Sequence, residues 1–257
     1  DTVRIEPDHI GNLIMDPGNT QFDDSRRDFL RQCSGALLGV PVTVKESFNI
    51  AGLPTCWGDP RFKRFTPKED ALAVSRMKNS GAVVLGKTNV SQWLSDWQSD
   101  NGVYGRTNNP FDPCRTPGGS SGGSAAALAA GFCALSLGSD MGGSLREPAH
   151  YCGIYAHRPT EGLVPRRGHA RPETAPLPVE HDLAVVGPMA RSAADLALAL
   201  DVIAGPDEMT SGVGYRLALP ASRHDRLSDY RALVIDAHPL GPTAHVVREA
   251  LARLADR

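Results

Sequence analysis

The sequence has no surplus of either charge. Its 27 lysines and arginines face 29 acidic residues, a formal net charge of −2. Nothing in that balance argues for a nucleic-acid or anionic-membrane partner. Long apolar runs are missing too. The stretch 125–130 is among the longest, and a bilayer needs about 20 residues. The first residues, DTVRIE, contain no basic segment followed by an apolar one, so export is not expected. The five cysteines, Cys33, Cys56, Cys114, Cys133 and Cys152, include no C-x-x-C pair. That excludes the usual zinc spacing, and an odd, scattered set suits reduced thiols in a cytoplasm. The bland reading of these cysteines is small buried apolar residues. The histidines lack ligand spacing as well, so His169, His181, His224, His238 and His245 are expected at the surface.

Turn formers are plentiful. Gly (26) and Pro (20) cut the chain into short elements. Residues 36–44 read as a strand ending at Lys45. Residues 70–78 have helical spacing, closed by Gly81. A short buried strand follows at 82–85, then a helix at 89–94. Strand, helix, strand, helix is the pattern of an α/β sheet. Residues 101–123 lack periodicity and read as a loop. An alanine-rich helix, 124–130, ends at Gly131. A strand at 134–137 leads into a glycine-rich turn at 138–143, and Ser144 opens a short helix. Residues 162–179 read as irregular and 183–186 as a strand. Ser192 begins a capping pattern before a helix at 193–203. Residues 205–230 read as loop-rich, 232–235 as a strand and 244–254 as a final amphipathic helix. No linker is evident, so residues 1–257 read as one domain.

Two glycine-rich loops, GGSSGG at 118–123 and DMGGS at 140–144, carry serines between regular elements. Acyl transfer needs a nucleophile beside backbone N–H donors for the developing oxyanion. Glycines let that backbone approach a substrate without a Cβ in the way. A serine hydroxyl is a weak nucleophile until a base takes its proton. The candidate base is Lys45, at the end of a buried strand. Its usual pKa of about 10.4 must fall by burial before it can act as a base near neutrality.

The run GVPVTVKES at 39–47 resembles the lysine motif of the amidase signature family. GGSSGGSAA at 118–126 and GSDMGGSLR at 138–146 resemble that family's signature stretch. CGI at 152–154, RPT at 158–160, GAVVLGKTN at 81–89 and YGRT at 104–107 agree with it, over about residues 12–207. The resemblance implies an α/β fold with a mixed sheet flanked by helices on both faces. It implies that Ser144 attacks the amide carbonyl and that Ser120, after a cis peptide following Gly119, links it to Lys45. The N–H groups of Met141, Gly142, Gly143 and Ser144 would hold the oxyanion. Water would then release the acid. The implied substrate is a small carboxylic amide, with no metal or organic cofactor. The alternatives are a glutaminase subunit of a tRNA-dependent amidotransferase, which works with a protein partner, and an inactive homologue or fragment that acts by binding. A homodimer is compatible with the resemblance. Family members are nearly twice as long, so the N-terminal helices and most of a C-terminal half are expected to be missing. Glu147, His150 and His157 depart from the family's usual apolar or small residues.

Three other patterns compete. Residues 81–88 match G-x-x-x-x-G-K-[ST], but the intervening residues are strand-like where a phosphate loop must be flexible. Ser120 and Ser121 each satisfy G-x-S-x-G, yet the preceding 110–117 is turn-rich and no strand leads in. Ser75 and Lys78 match S-x-x-K on an ordinary amphipathic helix, whose polar side faces solvent.

Overall fold

The computed structural model describes residues 36–172, 183–209, 217–231 and 245–255. The expectations for residues 1–35, 173–182 and 232–244, including Cys33, His181 and His238, lie outside them. The chain divides into two compact units, Asp1–Arg216 and Leu217–Arg257. In the first, β1 (Pro41–Lys45) is followed by α1 (Leu72–Asn79), β2 (Val83–Thr88) and a small hairpin of β3 (Asp100–Asn101) and β4 (Gly105–Arg106). Then come α2 (Gly122–Ala129), β5 (Leu135–Asp140), α3 (Arg146–Cys152), β6 (Tyr155–Ala156), β7 (Val185–Ala190) and α4 (Ala193–Ile203). The second unit contains α5 (His245–Ala255) and a 3₁₀ turn, Leu227–Asp229.

The sheet order is β2-β1-β5-β7-β6. The first three strands are parallel and the last two pair antiparallel, so the sheet is mixed. Side chains alternate across a strand. Val42 and Val44 of β1, with Leu135 and Leu137 of β5, enter one core beside Ala73, Val74 and Met77 of α1 and Ala199 and Ile203 of α4. Each fully buried valine, leucine, isoleucine or methionine side chain among these contributes about 1.5–3 kcal/mol. Thr43, of opposite parity in β1, hydrogen-bonds Ser136 at 2.9 Å. A second core unites Ala125 and Leu128 of α2, Leu145, Cys152 of α3 and Met189 of β7. Helices thus cover both faces, as expected.

Some boundaries moved, each for a tertiary reason. Residues 37–39 form a turn instead of strand. Gly39 is left-handed (φ 73), and Leu37 and Gly39 donate to the Ser80 and Gly81 carbonyls. The expected helix at 89–94 is reduced to a 3₁₀ turn, Gln92–Leu94. The Trp93 N–H goes to the Trp57 carbonyl, and the Asn89 side chain is bound to Gly105 O and Thr107 Oγ1. Neither group is left for a helix. Residues 138–140 complete β5 because they pair with 185–187 of β7. A Cβ on Gly138 would meet Leu145 Cδ2 at 2.6 Å, so this glycine serves close packing in a strand. The helix at 193–203 begins as the capping pattern requires, with the Asp195 N–H on Ser192 Oγ at 3.1 Å.

Candidate active site

The sheet brings three chain segments together at the carboxyl ends of its parallel strands. β1 ends at Lys45, β5 ends at Asp140, and the loop before α2 carries Ser120. Lys45 is fully buried, and its Nζ donates to Ser120 Oγ at 2.7 Å and to Ser139 Oγ at 3.0 Å. Burial brings its pKa from 10.5 down to about 7, against the opposing pull of Asp140. Desolvation disfavours an ammonium, and one carboxylate at a distance does not restore it. The expected base therefore has a proton affinity suited to proton transfer near neutrality.

The Gly119–Ser120 peptide is cis, as the resemblance implied. The loop around it is held on both sides by Ser99. Its hydroxyl donates to Gly118 O at 3.1 Å and accepts from Gly122 N at 3.0 Å. There is no space for a larger residue: a Cβ on Gly119 would lie 2.4 Å from Asp96 O. Ser121, the other serine of that run, donates to Ser139 O at 3.3 Å.

Asp140 organises the loop from Met141 to Leu145. Its carboxylate accepts from Gly143 N at 2.9 Å, from Leu145 N at 3.0 Å, and from both Nε and an Nη of Arg146 at 3.0 Å. Arg158 approaches at 3.5 Å. Burial works against this charge, but the Arg146 and backbone hydrogen bonds outweigh it, and the carboxyl titrates at about 2. By accepting the N–H of Arg146, the first residue of α3, at 3.4 Å, Asp140 also takes the place of a cap for that helix. Gly153, left-handed at φ 62, closes that helix.

The Gly143 N–H, expected among the oxyanion donors, is occupied by Asp140. The N–H groups of Met141, Gly142 and Ser144 have no hydrogen bond to the described residues. Ser144 is half-buried, and its hydroxyl bonds neither Ser120 nor Lys45. The structure thus joins Lys45 to Ser120 and leaves Ser144 one loop away. His169 also departs from expectation. It is 6% exposed, not on the surface, and bonds Ser47 Oγ at 3.0 Å between the rings of Phe48 and Trp57. Burial holds it neutral, with its pKa well below 6.5. His224 and His245 are exposed.

Ser139, Asp140 and Ser99 were not singled out from the sequence. Asp140 and Ser139 lie inside the motif at 138–146, so an aspartate preceding two glycines was the available signal. Ser99 gave none. The competing patterns separate cleanly. Residues 83–88 are a continuous strand, and Lys87 bonds the Pro54 carbonyl and Thr55 Oγ1. Lys78 pairs with Asp70 at 2.8 Å on the outside of α1. Among the described residues no group of three His, Cys, Asp or Glu could hold a metal, and no helix is long and apolar enough to cross a membrane.

Comparison with known proteins finds relatives in both sequence and structure. A Glutamyl-tRNA(Gln) amidotransferase subunit of Thermus thermophilus is 41% identical over 244 residues, covering 93% of this chain and 48% of that protein. The native peptide amidase of Stenotrophomonas maltophilia has a similar structure, with TM-score 0.63 and 34% identity over 76% of this chain and 40% of the other. A fatty acid amide hydrolase aligns with TM-score 0.60 and 33% identity, over 69% of this chain and 31% of the other. The chain spans about half the length of the relatives it matches, or less. The sequence profile of the Amidase family matches residues 20–254. With that match over most of its length, the chain belongs to the Amidase family.

Proposed function

We propose that this chain carries a Ser144–Ser120–Lys45 catalytic set for hydrolysis of a small carboxylic amide through a serine acyl-enzyme. The observation that carries the reading is the buried Lys45 Nζ at 2.7 Å from Ser120 Oγ, with a pKa of about 7. A neutral Lys45 accepts the Ser120 proton as Ser120 accepts one from Ser144. Ser144 Oγ then attacks the amide carbon. The N–H groups of Met141, Gly142 and Ser144 receive the oxyanion. Gly143 contributes through its bond to Asp140, which sets the loop's shape. The proton returns through Ser120 to the leaving nitrogen, the C–N bond breaks, and water cleaves the ester. Ser144 must close on Ser120 when substrate binds, a tightening common between empty and loaded sites. The chemistry is a Ser-Lys variant of triad catalysis.

A second reading has its own support. The relative from Thermus thermophilus is named as one component of an amidotransferase. On that reading the ammonia passes to a partner protein instead of to solvent. Co-purification of a partner, with activity dependent on charged tRNA, distinguishes it.

The test is intact-mass spectrometry of the full chain after treatment with a fluorophosphonate, comparing wild type, Ser144→Ala and Lys45→Ala. One adduct on the wild type, absent from Ser144→Ala and slowed in Lys45→Ala, is expected. A folded wild type that takes no adduct rejects the catalytic reading.

A further inference from the structure

The two glycines before the proposed nucleophile border space that no side chain fills. Apart from its chain neighbours, a Cβ built on Gly142 would meet nothing within 4 Å. One built on Gly143, in the left-handed region at φ 116, would meet only Glu147 Cβ and Trp97 Nε1, each at 3.9 Å. Glycines so placed let a ligand come close to the backbone. Trp97 Nε1 therefore stands at the edge of an open notch beside the residue that precedes Ser144. Consecutive Cα atoms are about 3.8 Å apart, so this nitrogen lies within a residue or two of anything bonded to Ser144.

The loop of the other serine holds Trp97 in place. The Trp97 carbonyl accepts from Thr116 Oγ1 at 3.2 Å, and the same hydroxyl accepts from Gly118 N at 3.0 Å. A Cβ on Gly119 would lie 2.9 Å from Trp97 Cα, so the Trp97 backbone lies directly against the residue before Ser120. One residue thus borders the loops of both serines. Trp97 is 58% exposed, and its indole N–H has no acceptor among the described residues. The neighbouring Glu147 does not take that N–H. Its carboxyl is drawn to the Tyr151 hydroxyl, and its Oε2 has no donor at all. A donor fixed by its own backbone, open to solvent and unclaimed by the protein, is the kind of polar group that orients a ligand in a pocket.

We propose that Trp97 is a specificity-determining residue whose indole N–H binds a second acceptor of the substrate, favouring amides that carry another carbonyl about one residue's length from the scissile bond, as an N-acylated amino acid amide does. This rests on the assignment of Ser144 as nucleophile for the location of that bond. The N–H groups of Met141, Gly142 and Ser144 serve the oxyanion, and Trp97 serves the neighbouring acceptor. An indole N–H can only donate, so a substrate with an alkyl group at that place leaves it without a bond.

The test uses the full chain and two fluorophosphonates that differ only at the carbon bonded to phosphorus, one carrying an acetamido group and one a propyl group. Each labelling rate is divided by that probe's own rate of hydrolysis. Wild type is expected to label about fivefold faster with the acetamido probe, the scale of one neutral hydrogen bond. Trp97→Phe keeps an aromatic ring and removes the donor, and should bring that ratio close to one. A ratio near one in wild type, or one unmoved by Trp97→Phe, overturns the inference while labelling itself upholds the nucleophile. An equal slowing of both probes leaves the ratio unmoved and marks Trp97 as a structural support. Calorimetric titration of Ser144→Ala with N-acetylalaninamide and with 2-methylpentanamide reads recognition without chemistry. Tighter binding of N-acetylalaninamide, lost on adding Trp97→Phe, supports the donor role even if neither probe labels the wild type. Equal or absent binding of the two amides overturns it.

Discussion

Replacing Lys45 by methionine should make the protein more stable and inactive at once. The argument starts from the fully buried ammonium, whose pKa falls from 10.5 to about 7 on folding. That gap corresponds to about 5 kcal/mol against the charged form. In the unfolded chain Lys45 keeps its proton until pH 10.5, and in the folded chain only until about 7. Below pH 7 both states hold the proton and the folded state bears the whole cost. Between 7 and 10.5 unfolding takes up a proton, so stability rises with pH. Lys45→Met removes the titration and the cost. It also strips the Ser120 and Ser139 hydroxyls of a partner, a loss of about 1–1.5 kcal/mol each. At pH 6 the variant should therefore exceed wild type by about 2–3 kcal/mol. At pH 9 the wild type recovers about 3 kcal/mol, and the two should nearly coincide. Urea denaturation monitored by tryptophan fluorescence at both pH values measures the difference. A variant less stable than wild type by the same amount at pH 6 and pH 9 would refute the reasoning, because Lys45 would then be stably charged or neutral throughout.

The remaining predictions concern the loop and its proton path. Ser144→Ala should abolish fluorophosphonate labelling and change stability by less than about 0.5 kcal/mol, since the hydroxyl has no partner among the described residues; a large loss of stability would show that Ser144 is structural. Ser120→Ala should slow labelling by about 10²–10⁴-fold, the usual reach of a general-base relay, and a rate equal to wild type would remove Ser120 from the path. The labelling rate should climb with pH through a midpoint near 7 as Lys45 loses its proton, and a flat profile from pH 5 to 9 would contradict the low pKa. Asp140, held at about 2, contributes stability that is present above pH 3.8 and lost as pH falls toward 2, about 2 kcal/mol in all; acid titration of Asp140→Asn should lack that loss.

The alternation of Val42, Thr43, Val44 and Lys45 made β1 legible as a strand delivering its lysine from a buried position. The capping serine and apolar repeat made α4 legible to the residue. The alanine run marked α2, although the helix starts earlier, at Gly122. What was not legible were groups whose partners are remote in the chain. The helix expected at 89–94 was lost because Trp57 and the β3–β4 hairpin claimed its polar groups. Ser99 acts on Gly118 and Gly122 from 19 and 23 residues away. His169 carries no sign of burial in its own neighbourhood, because Ser47 and Trp57 enclose it from the other end of the unit.

By itself the sequence determined the inventory of this protein. It supplied a lysine on a buried strand, two glycine-rich loops with serines, the alternation and periodicity that build an α/β sheet, and the absence of charge surplus or metal-ligand spacing. Local preferences and motif order suffice for these, because each depends on residues close in the chain. The tertiary structure decided how those parts act. It placed Lys45 Nζ on Ser120 across 75 residues and buried it, so that desolvation lowers its proton affinity. It gave the Gly143 N–H to Asp140 and left those of Met141, Gly142 and Ser144 without partners among the described residues. It also left one oxygen of Glu147 without a donor, one turn from the loop of the proposed nucleophile. Proton affinity, donor availability and unmet hydrogen bonds are properties of an environment, and that environment is assembled from segments that meet only in the folded chain.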